Sequence, residues 1–342
     1  MPVPLALYAP SLQKPPVSAI LAKSAVVVDA ASGKVLWQRD PDTPRYPAST
    51  TKIMTVLLLL ERCSPDEIIK APADIEKVKE ASMNLKPGEQ VKAGDMAYAM
   101  LLRSANDGCV ATAVHISGSV PAFSKLMNER AKEIGLSHTF FHNPNGLNDT
   151  LHKISAYDLA MVGREAMKRE DFREIARTFK RKISRSINKK DEVMVSKNKW
   201  LKKDPSADGI KTGYTKPAGL TYVGSVTREG FRVIDSIMKT ENWQADHKAL
   251  LDWTYKTYDE TERYPAATML GTAHIEGGTQ NTVPYAASEF IHVLARKGQP
   301  RSTIEFHPKE GLNAPISIGQ PLGTVTLTDA EGFAQTHPVY AT

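Results

Sequence analysis

The chain predicts an α+β fold, on three observations. Strand-like segments open the first 260 residues, helical segments fill the middle, and strands return at the end. That order lets an antiparallel sheet pair the two ends of the domain around a set of helices. The run Ile53–Leu60 is apolar at nearly every position, and a helix without a wet side belongs in the middle of a domain. Beyond residue 260 no long helical pattern is present, only short alternating segments.

Residues 1–22 are proline-spaced and expected to be extended. Ser24–Ala30 and Val35–Arg39, joined by Ala31-Ser-Gly-Lys34, read as a β-hairpin. Pro47-Ala-Ser-Thr-Thr-Lys52 opens the apolar helix, since Pro beside Ser or Thr is a usual helix start. After a polar stretch to Val91, Asp95 is expected to cap a short helix over 96–102, and Arg103-Ser-Ala-Asn-Asp-Gly108 interrupts it. Helices follow over 109–116, over 122–134 with a stop at Gly135, and over 155–167, with Asn143-Pro-Asn-Gly146 as a turn. Segments 209–214, 220–226 and 231–238 form a three-strand meander with short turns, and 246–258 is a closing helix. Segments 303–306, 314–318 and 322–327, broken by Gly and Pro, read as strands of a small all-β sandwich or barrel. The expected organisation is an extended segment 1–22, a catalytic domain 23–260 and a C-terminal β-domain 261–342.

At 342 residues, with 41% hydrophobic and 24% charged content, the composition is that of a globular protein. No apolar run approaches the roughly 18–20 residues of a membrane-spanning helix. The net charge of +6 is uneven: Arg164 to Lys203 holds 15 basic against 6 acidic residues, a local +9, which leaves −3 for the rest. A local basic face without aromatic platforms or a recognition motif argues against nucleic acid as a partner and suits an anionic polymer. Cys63 and Cys109 are the only cysteines, too few for a cysteine-rich metal site; both read as small core residues and permit one disulfide. His142, His152 and His307 lack metal-ligand spacing, so neither metal nor cofactor is expected.

Three polar clusters carry the chemistry. Ser49 and Lys52 are three apart and share a helix face, so hydroxyl and amine can meet as an activated nucleophile. The same spacing recurs at Ser11/Lys14, Ser186/Lys189 and Ser196/Lys199, but none of these opens an apolar helix. Ser104-Ala-Asn106 sits in the break between helices, and Lys211-Thr-Gly213 lies on a strand of the meander, where the Gly lets a ligand approach the backbone.

S-x-x-K, S-x-N and K-T-G in this order are the signature of penicillin-binding proteins and serine β-lactamases. With Asn143-Pro-Asn-Gly-Leu147, Ser155-Ala-Tyr-Asp-Leu-Ala160 and Gly209-Ile-Lys-Thr-Gly-Tyr-Thr215, the chain resembles the low-molecular-mass penicillin-binding proteins that act as D-alanyl-D-alanine carboxypeptidases (peptidase family S11). Ala314-Pro-Ile-Ser-Ile-Gly-Gln-Pro-Leu-Gly323 is similar to the β-domain those enzymes carry after the catalytic one. The resemblance implies a penicillin-binding-protein-like sheet with a helical cluster, and hydrolysis of peptidoglycan pentapeptides ending in D-Ala-D-Ala through an acyl-enzyme on Ser49. It also implies covalent inhibition by β-lactams. Lys52 would be the base, kept unprotonated by burial, by a cation such as Lys211 and by the helix N-terminus. Ser104 would relay a proton, Asn106 would bind the substrate backbone, and Lys211 and Thr212 would hold its carboxylate. The backbone N–H groups of Ser49 and Tyr214 would form the oxyanion hole, and Gly213 would let the substrate approach the strand.

Two departures stand out. There is no Arg between Arg232 and Arg263 to help hold the carboxylate, and no amphipathic anchor helix before Thr342. The substrate implies an extracytoplasmic location, in the envelope, periplasm or outside, with a signal peptide removed from this chain. Peripheral contact with membrane or cell wall is a further expected association. A serine β-lactamase and a non-catalytic envelope-binding protein are the two alternatives.

Overall fold

The computed structural model of the protein describes residues 20–78 and 80–342. The expected extended segment 1–22 lies, as far as residue 19, outside them. The described residues form two compact units, 20–251 and 252–342.

The first unit is built on a five-stranded antiparallel sheet of β1 (Ser24–Asp29), β2 (Val35–Arg39), β3 (Ala207–Thr215), β4 (Gly219–Arg228) and β5 (Phe231–Thr240), in the order β2-β1-β5-β4-β3. The hairpin at the start therefore joins the meander at the end, through Ala25↔Ile237 and Val28↔Ile234. Every residue of β1 is buried, because both sheet faces are covered.

The helices are α1 (Lys52–Arg62), α2 (Ala93–Tyr98), α3 (Asn106–Ser117), α4 (Val120–Ile134), α5 (Ala156–Lys168), α6 (Glu170–Arg177) and α7 (Trp243–Thr257). Adjacent strand residues point to opposite faces. Val223 and Ile234 join one core with α1 and α5, while Tyr222 and Asp235 face the start of α7, where Tyr222 stacks on Trp243 and His247 meets Asp235. The sequence leads one to expect the sheet to rest on α1. Instead α5 lies across β1 and β5, and α1 touches other helices and β3. Lys52 to Leu60 is buried at every position, so α1 suits the centre of the helical layer. The buried face of α5 includes Ala156, Ala160, Gly163 and Ala166, whose small size lets a helix lie close on a sheet.

Asp95 does not cap α2, whose N-cap residue is Lys92; its carboxylate accepts from the Ser184 N–H instead. The stretch expected as one helix over 96–102 ends in a wider π-helical turn, Ala99–Arg103, before Ser104 in the left-handed region (φ 69°).

The second unit contains β6 (Tyr258–Tyr264), β7 (Met269–His274), β8 (Thr282–Ala287), β9 (Ile291–Arg296), β10 (Thr303–Pro308), β11 (Pro321–Thr328) and β12 (Ala334–Ala341). β6 pairs with β9, and the others form a sheet ordered β7-β8-β12-β11-β10. Ile291 and Val293 of one sheet share a core with Leu322, Val325 and Val339 of the other, which is the small β-sandwich expected. Residues 314–318, expected as a strand, form a loop with Ile318 87% exposed. Pro315 has no N–H to give a ladder, and Gly319 lies in the turn before β11 begins at Pro321.

Candidate active site

The turn before α1 is held by hydroxyls. Ala48–Thr51 is a short 3₁₀ turn, and Ala48 is buried with a positive φ of 51°. Thr50 Oγ1 donates to Pro47 O (2.7 Å) and Thr51 Oγ1 to Ala48 O (2.9 Å). From the sheet, Thr221 Oγ1 donates to Pro47 O (2.9 Å). His152 supports the same turn from behind. Its Nδ1 accepts the N–H of His142 (2.9 Å), so the hydrogen sits on Nε2, which donates to Thr51 Oγ1 (2.8 Å). Burial pushes the His152 pKa down to about 4, so the ring is neutral near pH 7 and this tautomer persists.

Ser49 therefore stands at the head of α1 on a backbone fixed from three directions. Lys52 is fully buried, and its Nζ reaches Ser49 Oγ (3.0 Å), Asn106 Oδ1 (2.8 Å) and the Asn145 carbonyl (2.6 Å). Burial lowers the Lys52 pKa to about 8, and the Lys197 cation adds to the effect. A neutral amine has two N–H groups and one lone pair. Two donations to Asn106 and Asn145 would leave the lone pair for the Ser49 hydroxyl proton.

Ser49, Ser104, Asn106, Thr212, Gly213 and Tyr214 line one cavity of about 330 Å³. Lys211 lies buried beneath, with Nζ donating to Thr212 O (2.9 Å); burial and the nearby Lys52 hold its pKa well below that of an ordinary lysine. The structure thus gathers all eight site residues expected from the sequence. β3 is the edge strand, so one side of its backbone is open to pair with an extended ligand. Gly213 allows the contact with the nucleophile turn: a Cβ there would lie 2.3 Å from Thr221 Oγ1 and 3.0 Å from Ser49 N. At Gly146 (φ +85°) a Cβ would meet Ala48 O at 1.8 Å.

Sequence reasoning missed Asn145, His152 and Lys197. Asn145 acts through its carbonyl, which any residue could supply, although the Asn143-Pro-Asn-Gly146 turn marked the place. His152 was read as an ordinary residue. Lys197 lies in the basic stretch Arg164 to Lys203, where nothing in the sequence singles it out, yet it lines the cavity. Asp107, next to Asn106, accepts from Ser82 Oγ (2.6 Å) and from the N–H groups of Met83 (3.0 Å) and Leu85 (2.9 Å), fixing the loop beside Asn106. Cys109 is buried with its Sγ on Ala105 O (3.3 Å), and burial pushes its thiol up to about 11. It is a packed thiol, and both cysteines are free.

A serine hydroxyl on a buried, easily deprotonated lysine, facing the edge of an antiparallel sheet, defines a serine acyl-transfer enzyme of the penicillin-binding class. A sequence profile of the D-alanyl-D-alanine carboxypeptidases (peptidase S11) matches residues 10–242, and one of the penicillin-binding protein 5 C-terminal domain matches 258–342. The D-alanyl-D-alanine carboxypeptidase DacF of Bacillus subtilis is 34% identical over 81% of this chain and 73% of its own. DacC of Escherichia coli is 31% identical over 81% and 72%. Among solved structures, penicillin-binding protein 5 from Haemophilus influenzae superposes with a TM-score of 0.80 at 26% identity, covering 96% of this chain and 98% of that one. The chain belongs to the D-alanyl-D-alanine carboxypeptidase family of serine hydrolases.

Proposed function

We propose that this chain removes the terminal D-alanine from peptidoglycan stem peptides through an acyl-enzyme on Ser49, and that β-lactams acylate the same hydroxyl. The observation that carries the reading is the fully buried Lys52 Nζ, 3.0 Å from Ser49 Oγ. Neutral Lys52 takes the Ser49 proton as Oγ attacks the carbonyl between the two D-alanines. The N–H groups of Ser49 and Tyr214 stabilise the resulting oxyanion. Ser104 relays the proton to the departing amine, and water then releases the shortened peptide. The substrate lies extended along β3 with Asn106 on its backbone.

Lys211 and Thr212 hold the terminal carboxylate. In the free enzyme Lys52 adds to the burial that depresses Lys211; an arriving carboxylate restores the charge on Lys211, and that charge favours neutral Lys52. Lys197, a second cation on the cavity wall, serves where the family has an arginine. The unit ending at Leu251 carries this chemistry, with 252–342, rather than 261–342, as a separate β-domain. The enzyme works outside the cytoplasmic membrane, where its substrate is, in peripheral contact with membrane or wall. Among the described residues no helix is long and apolar enough to cross a membrane.

The test is release of free D-alanine from a peptide ending in D-Ala-D-Ala. The wild type releases it and Ser49→Ala does not; equal release by both would remove Ser49 from the role.

A further inference from the structure

At the far ends of α1 and α3 lies a cluster the peptidase chemistry does not use. Cys63 follows the last residue of α1, Glu67 stands in the turn beyond it, and His115 occupies the last turn of α3. Their ligand atoms, one each from a thiol, a carboxylate and an imidazole, lie within 4.8 Å of one another. His115 Nε2 is 2.7 Å from Glu67 Oε1, while Glu67 Oε2 accepts from the Ser64 N–H (3.3 Å). The three residues border a cavity of about 430 Å³. The other thiol, Cys109, is buried in the core, and Cys63 is free and only partly buried.

We propose that Cys63, Glu67 and His115 bind a divalent ion of the zinc class, with water in the fourth position. The donor set selects the metal. Sulfur with imidazole suits zinc and its neighbours, whereas calcium and magnesium take oxygen ligands. Around a tetrahedral ion, bonds of ~2.0–2.3 Å place ligand atoms roughly 3.3–3.7 Å apart. The present spacing brackets that range: the Glu67–His115 contact opens by under about 1 Å, within side-chain torsion, while the thiol closes in. The adjoining cavity admits the water. Sequence spacing gives no sign of the site, because His115 lies 48 residues from Glu67.

The site would act as a brace. It ties the C-terminal end of α1, which carries Lys52 at its other end, to that of α3, which carries Asn106 at its start. Binding to the folded chain alone raises its stability by mass action.

The probes are Co²⁺ and Zn²⁺ added to the reduced, metal-free full chain. One equivalent of Co²⁺ gives a thiolate-to-cobalt charge-transfer band in the near ultraviolet, which Zn²⁺ abolishes. Zn²⁺ at a hundredfold excess over its Kd raises Tm by about 5 °C, and Mg²⁺ does not. Cys63→Ser eliminates the band, and His115→Ala weakens Co²⁺ binding about tenfold or more. Both variants keep wild-type acylation by a β-lactam, which shows that they fold. Absence of the band in the wild type, its persistence in Cys63→Ser, or an equal Tm rise with Mg²⁺ would overturn the proposal.

Discussion

The pH dependence of Ser49 acylation tests the protonation state on which the chemistry depends. Burial takes Lys52 from 10.5 to about 8, a penalty on the charged amine of about 3 kcal/mol. The neutral fraction is then about 1% at pH 6, about 10% at pH 7 and about 50% at pH 8. At pH 7 this is roughly 300 times what an unperturbed lysine would offer. If neutral Lys52 takes the proton, the second-order rate of acylation by a chromogenic penicillin rises nearly tenfold per pH unit from 6, bends near 8 and levels above 9. Lys197→Met removes a cation that depresses Lys52, so the bend moves to higher pH and the rate at pH 7 falls by about two- to tenfold. Stopped-flow rates from pH 5.5 to 10 read both quantities. A profile flat between pH 6 and 8, or one still rising at 10, would refute the dry-lysine base. A bend unmoved in Lys197→Met would remove that cation from the account.

Three substitutions test the supports of the site. Gly213→Ala disturbs the seat of the nucleophile turn, because its Cβ would lie 3.0 Å from Ser49 N and 2.3 Å from Thr221 Oγ1, the hydroxyl that holds Pro47 O; acylation slows by about 10²-fold, and a rate within twofold of wild type would contradict the close approach. Thr51→Val strands the buried His152 Nε2–H and Ala48 O, costing about 2–4 kcal/mol in urea unfolding; a change under about 0.5 kcal/mol would show that the relay does not hold the turn. The bidentate ion pair of Arg185 with Glu89, at 2.9 Å through both oxygens, has both side chains fully buried. Arg185→Met leaves an unpaired buried carboxylate and costs about 3–5 kcal/mol; adding Glu89→Met recovers most of it, and failure to recover would mean that the arginine's bonds to Met83 O and Asn84 O matter more.

Much of the site is legible because its signals are local. Ser49 and Lys52 are one helical turn apart, and helix geometry alone brings them together. Lys211-Thr-Gly213 sits in a meander whose turns are written in Gly and Pro, so its strand could be placed from sequence. Asp95 shows the limit of local signals: it has the residue type of a cap, yet its carboxylate serves Ser184, 89 residues away. Residues 314–318 have the alternation of a strand, but alternation does not supply the N–H that Pro315 lacks. Lys197 carries no local mark separating it from the other lysines of a basic stretch, because its distinction is the cavity it faces.

The sequence by itself determined the first hairpin, the meander, the apolar body of α1 and the residue types at its mouth, since these follow from periodicity and steric preference along the chain. Only the tertiary structure decided what Lys52 is. Its acidity depends on the withdrawal of water by the surrounding protein and on the Lys197 cation. Desolvation and Coulomb interaction are properties of the volume around a group, and no spacing along the chain encodes that volume.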